Sequence, residues 1–295
     1  MIESPPRTVA IVGATGQIGS QLCRTAGHRR VIPLSHQDLA IEDHDAVRQW
    51  VLQNRPDAVV NTAAFHRVDE CEGDPMRAFA VNAVAVRQLA LACRDAGAIL
   101  VHISTDYVFG GDATRITPYR EDDAPAPVNT YGVSKLAGEL MVRAYLPRHF
   151  IVRTAAVYGR ATARPGHESF VERMLRLANE GRTIRVVNDQ VTGPTYAADL
   201  ASAIWRVLDT GLFGTYHITN SGQCTWYRFA RRIFELAGVS ADLHPTTAAE
   251  FGAAAPRPSF SVLAHGALRR AGIGDMRPWD QALASYMAER SHITS

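Results

Sequence analysis

The feature that most constrains this chain is a glycine-rich turn between a short apolar strand and a helix. Thr8–Val12 is an apolar run, and the sequence GATGQIG follows it directly. Glycines permit a tight turn and let backbone N–H groups approach a pyrophosphate, to which the following helix adds the positive end of its dipole. The spacing is GxxGxxG, which by itself also fits a purely structural turn. Its place at the first strand–helix junction favours a dinucleotide site. The residues predicted to line it are Gly13, Thr15, Gly16, Gln17, Ile18 and Gly19.

Apolar runs alternate with helical patterns through the first half of the chain. The strands after the first one are predicted at residues 31–34, 58–60, 98–103 and 150–154. The helices are predicted at 17–26, His44–Asn54, Pro75–Ala96 and 131–145. In the third helix, Asp74 and Gly97 are typical of the two ends, and Phe79, Val86, Leu89 and Cys93 are expected in the core. Continuous Val/Ile strands that are each followed by a helix predict a parallel sheet covered on both faces.

The alternation weakens after Tyr158. Helices are predicted at 169–179, 195–208 and Trp226–Ala237, and strands at Ile184–Val187 and 216–218. We therefore interpret the chain as an α/β protein with a Rossmann-type doubly wound parallel sheet and a smaller C-terminal α+β substrate-binding lobe. The predicted dinucleotide-binding domain covers residues 1–160, with further elements from 183–222. The predicted smaller lobe covers 161–182 and 223–295.

Composition excludes several classes of partner. The formal net charge of +2 is spread without a basic tract, which argues against nucleic acid or an anionic membrane as a partner. We expect no stretch apolar enough to cross a membrane, and the N-terminus lacks the pattern of a signal peptide. Four scattered cysteines without a CxxC pair indicate a cytoplasmic protein. None of the 11 histidines has the spacing of a common metal motif, so we expect no metal site.

One tyrosine–lysine pair points to chemistry. Of the 31 Lys and Arg residues the single lysine is Lys135, and Tyr131 lies four positions before it, on the same face of a helix. A ketone reductase must deliver a hydride to carbon and a proton to oxygen. A tyrosine, whose ordinary pKa is about 10, can supply that proton near neutral pH only if a nearby cation stabilises the phenolate. The alternative interpretation is an ordinary amphipathic helix on which Tyr131 and Lys135 form an exposed i,i+4 pair. The glycine turn independently predicts a nucleotide site, and this favours catalysis.

Two strand ends add candidate residues. Thr105 closes the fourth strand, where a hydroxyl can bind a substrate carbonyl, although Ser and Thr also end strands for reasons of turn geometry. The second strand ends in Leu34 and Ser35, and Asp38 is expected to lie beyond its end. With no carboxylate there to repel a 2′-phosphate, we expect NADPH as cofactor, supported by Ser35, with NADH as the alternative.

Six collinear motifs extend these observations over nearly the whole chain. They are GATGQIG at 13–19, VVNTAA at 59–64, HISTDYVFGG at 102–111, PYREDDAPAPVNTYGVSKLAGE at 118–139, VNDQVTGPTY at 187–196 and RPSFSVL at 257–263. In these motifs the chain resembles the dTDP-4-dehydrorhamnose reductase family of the extended short-chain dehydrogenase/reductase superfamily. The resemblance implies NAD(P)H-dependent reduction of the C4 keto group of a nucleotide-linked 4-keto-6-deoxyhexose, with dTDP-4-dehydro-L-rhamnose as the first candidate.

The resemblance also implies roles for individual residues. Tyr131 would donate the proton, Lys135 would bind the nicotinamide ribose, and Thr105 would polarise the keto group. Ala63 and Ala64 would pass beneath the cofactor. The residues implied on the substrate side are Thr105, Asp106, Asn188, Gln190 and Arg257. The sequence leaves the oligomeric state open, a homodimer included.

Departures from the family pattern keep alternatives open. Related 4,6-dehydratases have a glutamate where this chain has Tyr107, which favours simple reduction over dehydration. Many family members have a tryptophan where this chain has Ala156, and Leu-Asp where it has Leu39-Ala40. The substrate could therefore be another nucleotide 4-keto-deoxysugar. A further alternative is a non-catalytic nucleotide-binding regulatory subunit, because the regulatory subunit of methionine adenosyltransferase is similar to this family.

Overall fold

The structure is a computed structural model that describes residues 5–160 and 168–294, so 161–167 of the predicted smaller lobe lie outside it. The strands are β1 (Thr8–Val12), β2 (Arg30–Leu34), β3 (Ala58–Asn61), β4 (Ile99–Thr105), β5 (His149–Thr154), β6 (Val157–Tyr158), β7 (Ile184–Val187), β8 (Val191–Thr192), β9 (Thr195–Tyr196), β10 (Gly214–His217), β11 (Cys224–Thr225) and β12 (Leu243–Thr246). The helices are α1 (Gln17–Arg24), α2 (His44–Asn54), α3 (Val68–Gly73), α4 (Pro75–Phe79), α5 (Ala85–Ala96), α6 (Thr130–Tyr145), α7 (Phe170–Asn179), α8 (Ala197–Thr210), α9 (Trp226–Ala237), α10 (Ala248–Phe251), α11 (Gly266–Arg270) and α12 (Trp279–Thr294).

Six parallel strands form the central sheet, in the order β10-β5-β4-β3-β1-β2. Side chains of α1 and α8 cover one face, and side chains of α2, α5 and α6 cover the other. The predicted doubly wound α/β fold is therefore confirmed. The direction of winding reverses between β1 and β3, and in such sheets the ligand crevice opens at the carboxyl ends of the strands beside this reversal.

The second half of the chain builds a separate core and one further strand of the central sheet. Helices α7, α9 and α12 pack together around Tyr158, Phe229 and Tyr286. Of the elements between 183 and 222, β10 joins the central sheet, whereas β7 pairs with β12 outside it. The boundaries of the two predicted lobes remain a prediction. The predicted helix at 195–208 begins only at Ala197, because Thr195 and Tyr196 pair with β6.

The helix predicted over Pro75–Ala96 contains a π-helical turn at Ala80–Val84. Asp74 caps its start by accepting a hydrogen bond from the Arg77 N–H at 3.0 Å, and Gly97 ends it with φ +73°. The core prediction is wrong for Phe79, which is 36% exposed, while Val86, Leu89 and Cys93 are fully buried. The physical reason is the wider π turn, which rotates the residues before it out of register with the apolar face that follows.

The same stretch corrects a second expectation. By length and composition Pro75–Ala96 could cross a membrane, whereas the sequence had suggested that no segment could. Slightly more than half of its most apolar window, 56%, is buried inside the protein, as in the core helix of a globular domain. Its apolar character therefore reflects packing against β3, β4 and α6 in the core of the sheet's second face.

Candidate active site

Backbone packing explains the glycines of the first turn. Gly13 has φ +80°, and a Cβ on it would lie 2.7 Å from Thr62 Oγ1. A Cβ on Gly19 would lie 2.4 Å from the Gly13 carbonyl oxygen, so only glycine fits either position. Gly16 is the N-cap of α1 and offers no side-chain cap. The first N–H groups of the helix therefore stay available for an anion, as a pyrophosphate site requires.

The ends of β2 and β3 lie beside this turn. The Leu34 carbonyl accepts hydrogen bonds from the N–H groups of Gly13 and Ala14, at 2.9 and 3.0 Å. Thr62 Oγ1 donates to the Val12 carbonyl at 2.8 Å. The structure thus brings Ser35, Ala63 and Ala64 to the carboxyl edge of the sheet next to the glycine turn, where the sequence placed the cofactor.

The end of β2 corrects one part of the cofactor argument. Asp38 Oδ2 accepts hydrogen bonds from the Ser35 N–H at 2.8 Å and from Ser35 Oγ at 2.6 Å. These bonds lower the pKa of Asp38, so it carries a negative charge at neutral pH. The expectation of no carboxylate at this strand end is wrong, because the turn after Ser35 folds Asp38 back onto the strand end. A carboxylate at this place can accept hydrogen bonds from the ribose hydroxyls of a bound NAD.

Thr105 and Tyr131 meet at the carboxyl end of β4. Burial raises the pKa of Tyr131, and hydrogen bonding to Thr105 opposes this rise. Thr105 Oγ1 also donates to Asp106 Oδ1 at 3.1 Å and accepts from the Tyr107 N–H at 3.1 Å. The ring of Tyr107 packs edge-on against that of Tyr131, with centroids 6.0 Å apart.

Lys135 is buried one helical turn after Tyr131, with only 1% of its surface exposed. Its Nζ donates to the Ile103 carbonyl at 2.7 Å and lies 3.4 Å from His102 Nε2. Burial lowers the pKa of Lys135 to about 8, and the negative charge of Glu139 opposes this shift. Burial, together with the charge of Lys135, also holds the pKa of His102 well below its ordinary value.

Asp106 is a buried carboxyl group beside the same hydroxyls. Ser261 Oγ donates to Asp106 Oδ2 at 2.5 Å, from a segment 155 residues further along the chain. Burial raises the pKa of Asp106 to about 7, against the opposing effect of the hydrogen bonds from Ser261 and Thr105. A proton therefore leaves or joins this group near neutral pH, next to the proposed proton donor.

Sequence reasoning missed the residues that hold α6 in place. Asn129 caps the helix by accepting from the Gly132 N–H at 2.8 Å. Asn82, in the π turn, bonds both backbone groups of Phe65 and donates to Ser134 Oγ at 3.0 Å. A Cβ on Gly138 would lie 2.2 Å from the Asn82 carbonyl oxygen. Asn82 is the one polar residue in the apolar run of residues 78–86, and this was the sequence signal for its role.

A buried ion pair supports the strands beneath the site. Glu139 accepts hydrogen bonds from Arg153 Nε at 2.9 Å and from a terminal nitrogen of Arg153 at 2.7 Å. Ser104 Oγ donates to Glu139 Oε1 at 2.6 Å. Glu139 and Arg153 are almost fully buried, so each charge depends on the other. This cluster joins α6, which carries Tyr131 and Lys135, to β4, which carries Thr105.

The predicted substrate-side residues from the second half have different surroundings. Arg257 forms a two-pronged ion pair with Asp69, at 2.7 Å for each bond, and its charge opposes the rise in the pKa of Tyr107 that burial causes. Gln190 precedes Val191, whose backbone pairs with Ser259 and Ser261 beside Asp106. Asn188 follows β7. Its Oδ1 accepts a hydrogen bond at 2.7 Å from Thr225 Oγ1, and Thr225 is the N-cap residue of α9.

Comparison with known proteins places this geometry in a family. The model of the RmlD substrate binding domain matches residues 7–292. The chain is 42% identical to dTDP-4-dehydrorhamnose reductase of Mycolicibacterium smegmatis, over 95% of this chain and 85% of that protein. The chain belongs to the dTDP-4-dehydrorhamnose reductase family. The resemblance drawn from the six motifs is thereby confirmed, and the protein is a member of an oxidoreductase family.

Two further similar proteins, one compared by sequence and one by structure, support the assignment. The spore coat polysaccharide biosynthesis protein SpsK of Bacillus subtilis is 43% identical, over 96% of this chain and 98% of that protein. The dTDP-4-dehydrorhamnose reductase from Bacillus anthracis, whose crystal structure was solved in complex with NADP, is 40% identical in sequence to this chain. It superposes with a TM-score of 0.91 over 96% of this chain and 99% of that one.

Proposed function

We propose that this protein uses a reduced nicotinamide dinucleotide to reduce the C4 keto group of a nucleotide-linked 4-keto-6-deoxyhexose, with dTDP-4-dehydro-L-rhamnose giving dTDP-L-rhamnose. The observation that carries the proposal is the meeting of Thr105 and Tyr131 at the crevice of the sheet, where Thr105 Oγ1 is bonded to the Tyr107 N–H and the Tyr107 ring packs against that of Tyr131. The buried ammonium of Lys135 lies on the same helix as Tyr131. The names of the relatives supply the substrate class.

The residues around the glycine turn fit a dinucleotide. The open helix start and the glycine packing suit a pyrophosphate. The residues that would hold the cofactor are Gly13, Thr15, Gly16, Gln17, Ile18, Gly19, Ser35, Ala63, Ala64, Tyr131 and Lys135. When bound, the cofactor supplies the hydride. The NADP in the Bacillus anthracis structure supports NADPH, while the carboxylate of Asp38 also suits the free ribose hydroxyl of NADH.

The chain's own residues bind the sugar carbonyl and supply the proton. The hydroxyls of Thr105 and Tyr131 hold the carbonyl oxygen, which gains negative charge as the ketone is reduced. Tyr131 then gives its proton to that oxygen. Because burial raises the pKa of Tyr131, the phenolate left behind needs a cation to stabilise it, and we assign this part to the buried ammonium of Lys135 on the same helix. Asp106, Asn188 and Gln190 are proposed on the nucleotide-sugar side.

An assay of NADPH oxidation with dTDP-4-dehydro-L-rhamnose tests the proposal. We expect Tyr131→Phe to lower kcat/KM by about 10²-fold or more, in the range typical for loss of a general acid. Tyr145→Phe is the matched control, since Tyr145 ends the same helix and its ring contacts Arg87. An undiminished rate in Tyr131→Phe would disprove the catalytic role. No oxidation by the parent with any keto-sugar would favour a non-catalytic regulatory subunit.

One observation keeps a second substrate open. Ala156 replaces a tryptophan of many family members, two residues after the strand that pairs with β4 beside Thr105. A methyl group at this position fills less space than an indole and would leave more room for a sugar. A different nucleotide 4-keto-deoxysugar is therefore the second candidate. A panel of nucleotide keto-sugars separates the two candidate substrates. Mass analysis identifies the products, and the better substrate is the one with the higher kcat/KM.

We also propose that the protein is a cytoplasmic homodimer. Its four cysteines are free thiols, as expected in a reducing compartment. Exposed apolar side chains gather on α4, the π turn and α6, which pack together. They are Met76, Phe79, Val84, Val133 and Leu140, with Met76 80% exposed. Sedimentation of the parent and of Leu140→Arg tests the dimer. A monomeric parent would disprove it, and a dimer that persists in the variant would place the interface elsewhere.

A further inference from the structure

Asp69 and Arg257 come from opposite halves of the chain and meet beside the proposed active site. We propose that this ion pair is a positioning device for Tyr131, so that Arg257 acts through Tyr107 and not as a direct ligand of the substrate. The inference rests on the proposed function, because Tyr131 is the proton donor only in that reaction. It revises the role that the resemblance implied for Arg257.

The donors of Arg257 are largely occupied by the protein itself. One terminal nitrogen donates to Asp69 Oδ1 at 2.7 Å and to the Ala255 carbonyl at 2.5 Å, and the other donates to Asp69 Oδ2 at 2.7 Å. The charge of Arg257 also acts on the Tyr107 phenol, where it opposes the rise in pKa that burial causes. An arginine has five N–H donors in a rigid fork, so these contacts use most of them. Little of the guanidinium remains for a substrate anion, and its side chain is only 18% exposed.

The ion pair fixes one end of a C-terminal segment, residues 254–261, against the site. Asp69 also accepts from the Ala255 N–H at 3.0 Å. Asn129, which caps the helix of Tyr131, donates to the Pro256 carbonyl at 2.8 Å. Ser261 at the far end holds Asp106. The bond to Asn129 joins the segment to the start of the helix that carries Tyr131, and the bond to Asp106 joins it to a proposed site residue.

Tyr107 is the link between the ion pair and the proton donor. The positive charge of Arg257 acts on its hydroxyl, and its ring lies edge-on to the ring of Tyr131 at 6.0 Å between centroids. On its other side, the Tyr107 N–H is hydrogen-bonded to Thr105 Oγ1. A shift of Arg257 would therefore be passed on to both hydroxyls that are proposed to hold the carbonyl oxygen. The two-pronged bond to Asp69 limits such a shift.

The pair has the charge state that this role needs. The hydrogen bonds from Arg257 lower the pKa of Asp69 to about 2, so the carboxylate stays ionised across the physiological range. A two-pronged Arg–carboxylate bond also depends on the planar fork, which lysine lacks. A lysine at 257 would keep the positive charge for a substrate anion but would lose the fixed geometry.

The experiment measures kcat and sugar KM for Asp69→Asn, Arg257→Gln, the double variant and Arg257→Lys. We expect each change to lower kcat by 10-fold or more and to alter KM by less than threefold. The double variant should be no slower than the worse single variant, because the two changes break the same interaction. Tyr107→Phe keeps the ring and loses the hydroxyl on which the charge of Arg257 acts, and it should lower kcat with the same KM.

The matched control is the two-pronged pair of Arg269 and Asp275, at 2.8 and 2.9 Å on the surface of the second half. Asp275→Asn should leave kcat within twofold of the parent. A raised KM in Arg257→Gln, rescued by Arg257→Lys and unaffected by Asp69→Asn, would show that Arg257 is a substrate ligand and overturn the inference. A parental rate in Asp69→Asn would also overturn it. An inactive parent would instead refute the proposed function.

Discussion

Gly132 packs directly against the backbone of Tyr107, and a Cβ on Gly132 would lie 2.1 Å from the Tyr107 carbonyl oxygen. Gly132 follows Tyr131 in α6, and Tyr107 follows Asp106 after β4. The absence of a side chain at this one position thus lets the helix that carries the proposed proton donor approach the strand end that carries Thr105. The glycine of the YGxSK motif is required for close packing of two site elements.

Gly132→Ala should therefore damage both stability and activity. The methyl group meets backbone, which cannot move aside as a flexible side chain would, so we expect a loss of about 3 kcal/mol of unfolding free energy. The surviving enzyme should have a lower kcat. Chemical denaturation and steady-state kinetics measure the two effects. Gly73→Ala is the control, since a Cβ there meets nothing within 4 Å. Equal stability of the two variants would contradict the packing argument.

Lys135→Arg should keep the fold but lose activity. The ammonium of Lys135 fits a buried position against the Ile103 carbonyl, and a guanidinium is larger, with its charge spread over a planar fork. We expect kcat/KM to fall by about 10-fold or more, which corresponds to about 1.4 kcal/mol of transition-state stabilisation. The measurement is NADPH oxidation at saturating cofactor. Near-normal kinetics would show that any cation suffices.

The buried carboxyl of Asp106 should make stability depend on pH. Its pKa is about 7 in the folded protein, above the ordinary value of 3.8, so the folded state binds the proton more tightly than the unfolded state. Its contribution to stability is complete below pH 4 and is lost as pH rises through 7. Between pH 5 and 8 the parent should lose about 1 kcal/mol or more of unfolding free energy through this group, and Asp106→Asn should not show this loss. Denaturation at several pH values measures it.

Asp112→Asn is the control for this pH dependence. Hydrogen bonds from Thr114 lower the pKa of the exposed Asp112, so its titration lies below the range in question. The stability of the parent and of Asp112→Asn should run in parallel from pH 5 to 8. A parent curve that also parallels Asp106→Asn would mean that Asp106 stays ionised throughout.

Ala156 should be replaceable by glycine with a gain in stability. It has φ +43°, a left-handed conformation that costs a residue with a Cβ free energy and costs glycine none. We expect Ala156→Gly to raise the free energy of unfolding by about 0.5–1 kcal/mol. Ala155→Gly, at a buried neighbour without positive φ, should lower it instead. Thermal unfolding of both variants measures this, and a loss in both would contradict strain at Ala156.

Local chemistry made most of the fold and the centre of the candidate site predictable. The glycine turn, the buried strands and the helix caps depend on neighbouring residues, so the sequence alone determined the doubly wound sheet. The placement of Tyr131 and Lys135 one turn apart on one helix follows from the helical period, and both lie in α6 as expected. The helix Trp226–Ala237 has the predicted bounds, since Thr225 caps its start and Gly238 ends it with φ +63°.

Tertiary structure decided everything that depends on distant partners. The π turn rotated Phe79 out of the core, and the fold-back of Asp38 placed a charge at the end of β2. Asp69 and Arg257 are 188 residues apart, so no local pattern connects them. A periodicity states which face of an element is buried. Which polar group meets which across two elements is fixed only when the whole chain is packed, because each buried charge or hydroxyl must find its partner there.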